Sequence, residues 1–394
     1  MSGPRRHVSF AERRARLGIR HLLAASQYVP RMPDVAQALI GLHATDPSAV
    51  FLAAAARTSS PDITAMEDAL YEEGTLERML CMRRTMFVVP STLAPVIEAS
   101  TGRAIAARER AACAAYLRDG AGWSLERYKA VEADVLAALA VRGEAGAAQL
   151  AADVPALREQ VTVSPGKPYE ARQAVSSRIL RVLAAEGRIR RGRPSGGFNS
   201  NRFRWALSPL ADAAEGWQTA AAKTELARRY LAAFGPATTD DLKWWTGWTL
   251  TDTRKAVAAS GAVSVSLDDG TGHLLPDDLE PVTAPEPWVA LLPGLDPTAM
   301  GWRQRGFYLD PAHVGDLYDR NGNIGPTIWA DGSIIGAWTH HPTGRIRTHL
   351  LTDPGLEGRR AVNARAEQLE AWLGDLRITP HYRTPLERRL RQSP

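Results

Sequence analysis

Residues 188–205 read Arg-Ile-Arg-Arg-Gly-Arg-Pro-Ser-Gly-Gly-Phe-Asn-Ser-Asn-Arg-Phe-Arg-Trp. Two arms that favour extended backbone flank a Pro-Ser-Gly-Gly turn, and this pattern predicts a β-hairpin. The stretch before it, 170–186, has helical periodicity and ends at Gly187, so it predicts one long helix. A hairpin that follows such a helix is typical of a winged helix-turn-helix, in which the hairpin is the wing.

The composition of this wing favours nucleic acid as a partner. It carries six arginines and no acidic residue, interleaved with Phe198, Phe203 and Trp205. Guanidinium groups bind backbone phosphates, and a basic patch with aromatic residues is the usual footprint of that contact. A run of like charge can also be only a solvated face, and that alternative stays open. The wing arginines that we expect to contact phosphates or the minor groove are Arg190, Arg191, Arg193, Arg202 and Arg204.

The same order of elements is predicted on both sides of this unit. Upstream, helices over 10–73 precede a β-branched strand that ends at Pro90, and residues 91–118 return to helix. Downstream, helices over 224–260 precede an alternating hairpin at 263–270, whose acidic residues indicate a structural role rather than phosphate contact. We therefore predict an α+β fold with three tandem winged helix-turn-helix units, at residues 1–120, 121–215 and 216–280.

The remaining residues, 281–394, are predicted to form a β-rich C-terminal domain. Apolar runs at 288–297 and 326–338 open it, and Asp331-Gly332, which divides the second run into two apolar halves, is a strong hairpin signal. A closing helix is expected over 363–373. The basic tail at 383–391 is expected to be mobile.

Composition excludes several classes of protein. The 394 residues are 45% apolar and 23% charged, and no apolar run approaches the roughly 20 residues of a membrane span. Two cysteines, Cys81 and Cys113, and no secretory signal indicate a reduced, cytoplasmic protein. The histidines are scattered, and His340-His341 would alternate faces of a strand, so we expect no metal and no cofactor. Phosphate-binding, dinucleotide and serine-hydrolase fingerprints do not occur.

A compact polar cluster lies at 41–47, Gly-Leu-His-Ala-Thr-Asp-Pro. His43, Thr45 and Asp46 can each hold a water or handle a proton. Pro47 disfavours helical backbone at Asp46, which is therefore well placed to cap the helix that follows. Capping explains Asp46 without any catalytic role, whereas a cap does not need His43. The other reading of His43 is a half-buried histidine bonded to a backbone carbonyl.

Four blocks in order carry a resemblance to a known family. They are residues 41–47, Arg-Arg-Thr-Met-Phe-Val-Val-Pro at 83–90, Leu-Leu-Pro-Gly-Leu-Asp-Pro at 291–297 with Gly-Trp-Arg at 301–303, and Asp-Gly-Ser-Ile-Ile-Gly-Ala-Trp at 331–338. With these blocks the chain resembles, over roughly residues 10–390, the AlkZ-like winged-helix DNA glycosylases, bacterial enzymes that excise bulky or crosslinked N7-alkylated purines. The resemblance implies that the winged units and the C-terminal domain surround a DNA-binding channel.

The resemblance also implies a catalytic block, from which this chain departs. The best-known members carry a glutamine, a small apolar residue and a second glutamine or an acid, where this chain has His43, Ala44 and Thr45. The family pair is thought to hold a water against the sugar C1′. His43 would do so as an acceptor or weak base, and Thr45 Oγ1 would position the same water. Asp46, if it is free of its cap, would supply negative charge.

The function expected from this resemblance is a monofunctional DNA glycosylase. It would hydrolyse the N-glycosidic bond of bulky N7-alkylguanine adducts, in a self-resistance role, and would act as a monomer on double-stranded DNA with alkylated bases. Arg83 and Arg84 are expected beside the lesion. Trp338, His340 and Arg345 are expected on a second hairpin that faces DNA, although core packing explains Trp338 equally well. The alternative is a non-catalytic DNA-binding protein, either a regulator or a lesion sequestrator.

Overall fold

The computed structural model describes residues 6–163, 166–167, 170–208 and 216–392. The predicted boundary at residue 215 lies outside these residues. Across the described ranges, no helix combines the length and the apolarity that a membrane crossing requires. The architecture is mixed α+β, with several small sheets that helices connect and cover.

The first part of the chain builds a three-stranded sheet behind a group of helices. Leu42 pairs with Val88 in the antiparallel sheet order β2-β4-β3. Asp62 caps the fourth helix by accepting a hydrogen bond from the Thr64 N–H. The elements are β1 (His7–Val8), α1 (Phe10–Arg20), α2 (Met32–Ala38), β2 (Leu42–His43), α3 (Pro47–Ala55), α4 (Ile63–Tyr71), β3 (Leu76–Cys81) and β4 (Thr85–Pro90).

A long helical segment leads to the second part. It consists of α5 (Ala94–Ile97), a π-helical turn (Glu98–Gly102) and α6 (Arg103–Ala121), which ends at Gly122 in the left-handed conformation. The second part then repeats the order of the first and forms a sheet of order β5-β9-β8. Its elements are α7 (Leu125–Arg142), β5 (Glu144–Gly146), α8 (Ala147–Asp153), β6 (Gln160–Val163), β7 (Ala171–Ala174), α9 (Ser176–Ala185), β8 (Ile189–Pro194) and β9 (Phe203–Leu207).

The expected long helix over 170–186 is wrong in its first turns. Ala171–Ala174 pairs with Gln160–Val163 as a two-stranded antiparallel ribbon, and the helix begins only at Ser176. Local helical periodicity was overridden by strand pairing across the chain, which periodicity does not record. The hairpin over 188–205 is present, with Ile189 opposite Leu207.

The third part again orders helices before a hairpin. Its elements are α10 (Thr219–Phe234), α11 (Thr239–Thr246), α12 (Leu250–Ala259), β10 (Val263–Leu267) and β11 (Gly270–Leu274). Strand β10 pairs in parallel with β1, and a bridge joins Ala237 to His273 on β11. The order helix, strand or bridge, two helices and hairpin therefore occurs three times in the described residues.

The C-terminal part is a four-stranded antiparallel sheet of order β12-β13-β14-β15 with helices on it. The tail at 383–391, which was expected to be mobile, instead forms a helix on β14. Leu386 is 2% exposed, and the buried Glu387 accepts hydrogen bonds from Thr339 and Arg383. The elements are β12 (Val289–Leu292), α13 (Pro297–Met300), α14 (Val314–Leu317), β13 (Thr327–Ala330), β14 (Ser333–His340), β15 (Ile346–Leu350), α15 (Gly355–Leu373) and α16 (Pro385–Gln392).

The second part of the chain has a hydrophobic core of its own, whereas the other parts share one. One core combines residues of the first, third and C-terminal parts, among them Leu17, Tyr230 and Trp329. The second part has a core of its own, built from residues between Cys113 and Trp205. It reaches the rest of the molecule through its hairpin, because Phe198 at the turn packs 4.5 Å from the ring of Phe51.

A fully buried ion pair joins the first part to the C-terminal part. The side chains of Arg57, just after α3, and Asp296, just before α13, are both 0% exposed, and their closest atoms lie 2.7 Å apart. Arg57 binds both carboxylate oxygens and also donates to the carbonyls of His21 and Ala53 and to Thr298 Oγ1. All five guanidinium N–H groups are thus satisfied, which is the condition under which a buried charge is tolerated.

We expect Asp296→Asn to destabilise the fold by about 3–5 kcal/mol, because Arg57 would then be buried without a counter-charge. The free energy of unfolding is measured by urea titration. The control is Asp119→Asn, which breaks an exposed pair with Arg118 and should leave the free energy of unfolding nearly unchanged. Equal losses in the two variants would contradict a structural role for the buried pair.

Candidate active site

The cluster at 41–47 is positioned by the first sheet. His43 lies opposite Phe87 on β4, and the Ala44 N–H donates to the Met86 carbonyl at 2.8 Å. The chain enters this strand through Ile40 at φ 65°. A Cβ at the next residue, Gly41, would lie 2.8 Å from Val89 Cγ1, so a side chain there would force the strand away from β4.

His43 is a buried, neutral imidazole. It is 5% exposed and its ring lies 5.0 Å from the ring of Phe87. Burial, with a further contribution from the charge of Arg83, lowers the pKa of His43 to about 3. Nδ1 of His43 and Oγ1 of Thr45 are both buried, and neither has a hydrogen-bond partner among the described residues. These two atoms can therefore bind a water or a substrate group at neutral pH.

Asp46 serves as a helix cap. Its Oδ1 accepts from the N–H of Ser48 at 3.0 Å and from the hydroxyl of Ser48 at 2.7 Å. Its Oδ2 accepts from the N–H of His381 at 2.9 Å. Both oxygens are thus engaged, and Asp46 does not line the cleft that holds His43 and Thr45. The capping role expected for Asp46 is therefore confirmed, and the alternative of a free carboxylate that supplies negative charge is contradicted.

A cleft of about 540 Å³ opens beside His43 and Thr45. Residues of the first, second and C-terminal parts border it, and none of the described lining residues is acidic. Five are arginines: Arg78, Arg83, Arg84, Arg181 and Arg191. The opposite wall comes from the C-terminal part and comprises Leu295, Met300, Asn321, Gly322, Asn323 and Tyr382.

Arg83 and Arg84 occupy the two central positions of the β3–β4 turn, both with left-handed backbone, at φ 52° and 62°. The Thr85 N–H donates to the Met82 carbonyl and closes the turn. Turns of this kind usually carry Asn-Gly, because two residues with side chains at positive φ are strained by about 1–3 kcal/mol each. Such strain is typical of positions where function requires particular side chains. Here the left-handed turn places two cations at the rim of the cleft.

The two arginines of the turn differ in their surroundings. The guanidinium of Arg83 lies 3.9 Å from the centre of the Trp244 ring, and burial, with the nearby charge of Arg305, lowers its pKa to about 10. Its buried Nε has no partner among the described residues. Arg84 is instead exposed and forms an ion pair with the buried Glu109. Of the pair, Arg83 is therefore the cation that no described carboxylate binds.

The arginines of the second hairpin do not act as one surface. Arg191 alone reaches the cleft. Arg193 pairs with Glu67, Asp68 and Glu72, the first two on α4, and so holds the hairpin against the first part. The remaining positions are Arg204, which pairs with Glu144 at 3.0 Å, Arg190, which lies near Glu77, and Arg202, which is exposed.

Burial of the hairpin turn explains this outcome. Phe198 is 2% exposed inside the core, so the turn is anchored on protein rather than extended into solvent. The structure thus contradicts the expectation that Phe198 and the whole arginine run form an open nucleic-acid surface. Arginine and aromatic residues suit protein–protein packing as well as phosphate contact, and sequence composition does not distinguish the two.

The predicted contacts in the C-terminal part are also mostly inside the fold. Trp338 is 2% exposed, and its Nε1 donates to the Leu292 carbonyl at 2.9 Å. His340 is also 2% exposed, and its Nδ1 accepts from the Ile378 N–H. A DNA-facing role for these two side chains is therefore wrong, since both are buried, and the alternative of core packing for Trp338 is confirmed. Arg345, in the turn after β14, is exposed and pairs with Glu370 at 3.0 Å.

Sequence reasoning missed two arginines of the cleft, Arg78 and Arg181. Arg78 lies within Leu76–Cys81, a strand that pairs with β4. An arginine inside a strand with buried neighbours was the available signal, because such a charge needs a reason. Arg181 lies on α9 and carried no local signal. The described residues contain no group of three or more side chains suited to hold a metal ion.

The chain is similar to DNA glycosylases in both its sequence and its fold. A protein-family model described as DNA glycosylase AlkZ-like matches residues 36–372. The structure is similar to that of the Streptomyces sahachiroi DNA glycosylase AlkZ, with a TM-score of 0.71 and 19% sequence identity. The match covers 95% of this chain and 99% of that one. No curated protein sequence matches this chain significantly.

We expect the stability of the protein to fall in acid partly because of His43. Its folded pKa of about 3 lies below the ordinary value of 6.5, so the unfolded chain binds more protons between these two values. Stability is therefore lost as pH falls through that window, by at most about 1.4 kcal/mol per pH unit for one group.

Urea unfolding at a series of pH values measures this effect. His43→Gln should flatten the acid dependence, whereas the exposed His349→Gln should leave it nearly unchanged. If the pH dependence of the His43→Gln variant runs parallel to that of the unaltered protein, the buried neutral imidazole is contradicted.

Proposed function

The chain belongs to the AlkZ-like DNA glycosylase family, and from that membership we propose that it hydrolyses the N-glycosidic bond of N7-alkylguanine in duplex DNA. DNA glycosylase activity and DNA as the partner follow from the family. The observation that carries the proposal for this chain is the cleft itself. Its described lining holds no acidic residue, and two polar atoms without a described partner, on His43 and Thr45, lie among five arginines.

The substrate class suits this modest set of catalytic groups. An N7-alkylated guanine is already cationic, so it is a good leaving group and needs no strong general acid. The transition state resembles an oxocarbenium ion, which requires nearby negative charge and a placed water. His43 is neutral because of burial, so it accepts a hydrogen bond from that water without bringing a second cation to the sugar. Thr45 Oγ1 would orient the same water.

The arginines alone would destabilise an oxocarbenium ion, since the guanidinium groups and the ion are all positively charged. In the proposed complex, DNA phosphates neutralise them, and the same phosphates lie close to the sugar. Asp46 contributes to this site by capping α3 and fixing the strand before it, rather than by its charge. The protein thus supplies water placement and geometry, and the bound DNA supplies most of the negative charge.

Several finer points are also proposals. We treat the three repeats of helices and hairpin as tandem winged helix-turn-helix units that border a DNA channel with the C-terminal sheet. The uncharged wall at Leu295, Met300 and Tyr382 would lie against a bulky adduct in the cleft, which would suit self-resistance to a genotoxic natural product. Monofunctional hydrolysis is supported by the described cleft lining, which contains no lysine to attack C1′ as an amine.

The test is incubation with duplex DNA that carries N7-alkylguanine adducts, from methyl to bulky intercalating groups, followed by alkali to reveal abasic sites. We expect His43→Ala to lower the single-turnover rate about 100-fold or more, the scale of a lost acid–base or water-holding group. The exposed His349→Ala serves as the control and should retain the rate.

The pH dependence of excision adds a second measurement. Because the pKa of His43 is about 3, the rate should show no inflection from this group near its ordinary value of 6.5. Absence of abasic product across the whole adduct panel, with duplex binding intact, would instead favour a non-catalytic DNA-binding protein. Full activity of both His43→Ala and Thr45→Ala would reject only the site assignment.

A further inference from the structure

Arg78 is a buried cation with unused hydrogen-bond donors. It is 9% exposed on β3 and its Nη1 donates to the carbonyl of Ala44 at 3.2 Å. Ala44 is the residue between His43 and Thr45. Nε and Nη2 of Arg78 are buried and have no partner among the described residues. The Tyr71 hydroxyl lies nearby but forms no hydrogen bond of normal geometry with it.

Arg191 approaches the same place from the second part of the chain. Its guanidinium lies 5.1 Å from the centre of the Phe203 ring, and that of Arg78 lies 5.0 Å from the same ring. Burial, with the charge of Arg78, lowers the pKa of Arg191 to about 10. The buried Nε of Arg191 also lacks a partner among the described residues. Two like charges therefore converge on one aromatic ring.

No described carboxylate forms an ion pair with either arginine, whereas most other buried arginines have one. Arg16 binds Glu12 and Asp278, and Arg57 binds Asp296. A buried cation without a counter-charge is unfavourable, and proteins keep one where a bound ligand neutralises its charge and accepts its hydrogen bonds. Both arginines line the cleft beside His43, so the missing partner is an anion that enters that cleft.

We infer that Arg78 and Arg191 together bind one phosphodiester of the damaged strand, next to the sugar presented to His43 and Thr45. This inference rests on the proposed glycosylase function and names the part of DNA that the site holds. Two guanidinium groups from different elements can donate to the two free oxygens of one phosphate. Because Arg78 also holds Ala44, phosphate binding would position the catalytic block, and Arg78 is a positioning residue as well as a phosphate ligand.

The other cleft arginines are less suited to this role. Arg84 and Arg181 share Glu109 as a carboxylate partner. Arg83 is held against Trp244 and lies near Arg305, away from the Phe203 ring. Only the pair at Phe203 combines convergence, unused donors and a direct bond to the catalytic block.

The test replaces single phosphates of an adduct-bearing duplex by uncharged methylphosphonates and measures binding to each duplex. For the unaltered protein, one linkage beside the lesion should weaken binding about 10- to 100-fold, the scale of a lost charge-assisted hydrogen bond. Arg191→Gln should weaken binding to the adduct-bearing duplex with all its phosphates by a similar factor. For this variant, a methylphosphonate at that linkage should weaken binding no further. Arg359→Gln, which alters an exposed pair with Asp353 outside the cleft, should show the full loss at that linkage.

The kinetic readout separates the two arginines. Arg191→Gln should raise KM with little change in kcat, whereas Arg78→Gln should also lower kcat because the Ala44 carbonyl loses its donor. Circular dichroism and urea unfolding establish that Arg78→Gln is folded, and the half-buried Arg191 provides an independent variant if it is not.

Two results would overturn the inference. In the first, each methylphosphonate weakens binding by Arg191→Gln as much as it weakens binding by the unaltered protein, which would mean that this pair binds no phosphate. Base excision by the unaltered protein would then leave the proposed function standing. If the unaltered protein neither binds nor cleaves the adduct-bearing duplex, the proposed function fails, and this inference fails with it.

Discussion

The buried pair of Arg57 and Asp296 is the constraint on which the rest of the structure depends. It fixes the end of α3 to the loop before α13, with all guanidinium donors satisfied and both side chains out of water. The start of α3 is fixed to the C-terminal part as well, because Asp46 accepts from the N–H of His381. A helix held at both ends cannot shift, so the strand that carries His43 keeps its distance from the opposite wall of the cleft.

The second part of the chain is attached differently, through the arginine-rich hairpin. Phe198 packs against Phe51 of α3, Arg193 binds acids of α4, and the guanidinium of Arg78 from the first part lies over the ring of Phe203. A hairpin that appeared to be an outward surface is thus largely a docking element. Its contribution to the cleft is Arg191, which the same docking brings there, so attachment of the second part and the lining of the cleft depend on one hairpin.

Much of the secondary structure could be predicted from local pattern. The hairpins at 188–205 and around Asp331-Gly332 were found, because turn residues act within a few positions. The helix expected over 170–186 was wrong at its start, since Ala171–Ala174 pairs with a strand that local periodicity does not reveal. Trp338 and His340 were placed on a DNA-facing surface, but strand alternation alone does not say which face a neighbouring helix covers.

By itself, the sequence determined the order of elements, the capping role open to Asp46 and the presence of a polar block at His43 and Thr45. These depend on backbone preferences and on spacing of a few residues, which act before the chain folds. Only the tertiary structure decided that His43 is buried and neutral, that Arg193 and Arg204 of the wing bind protein acids, and that Arg78 and Arg191 meet at one ring. The ion pair of Arg193 with Glu67 joins residues 126 positions apart, and Arg78 meets Phe203 across a similar separation, so no local stretch of sequence contains these contacts.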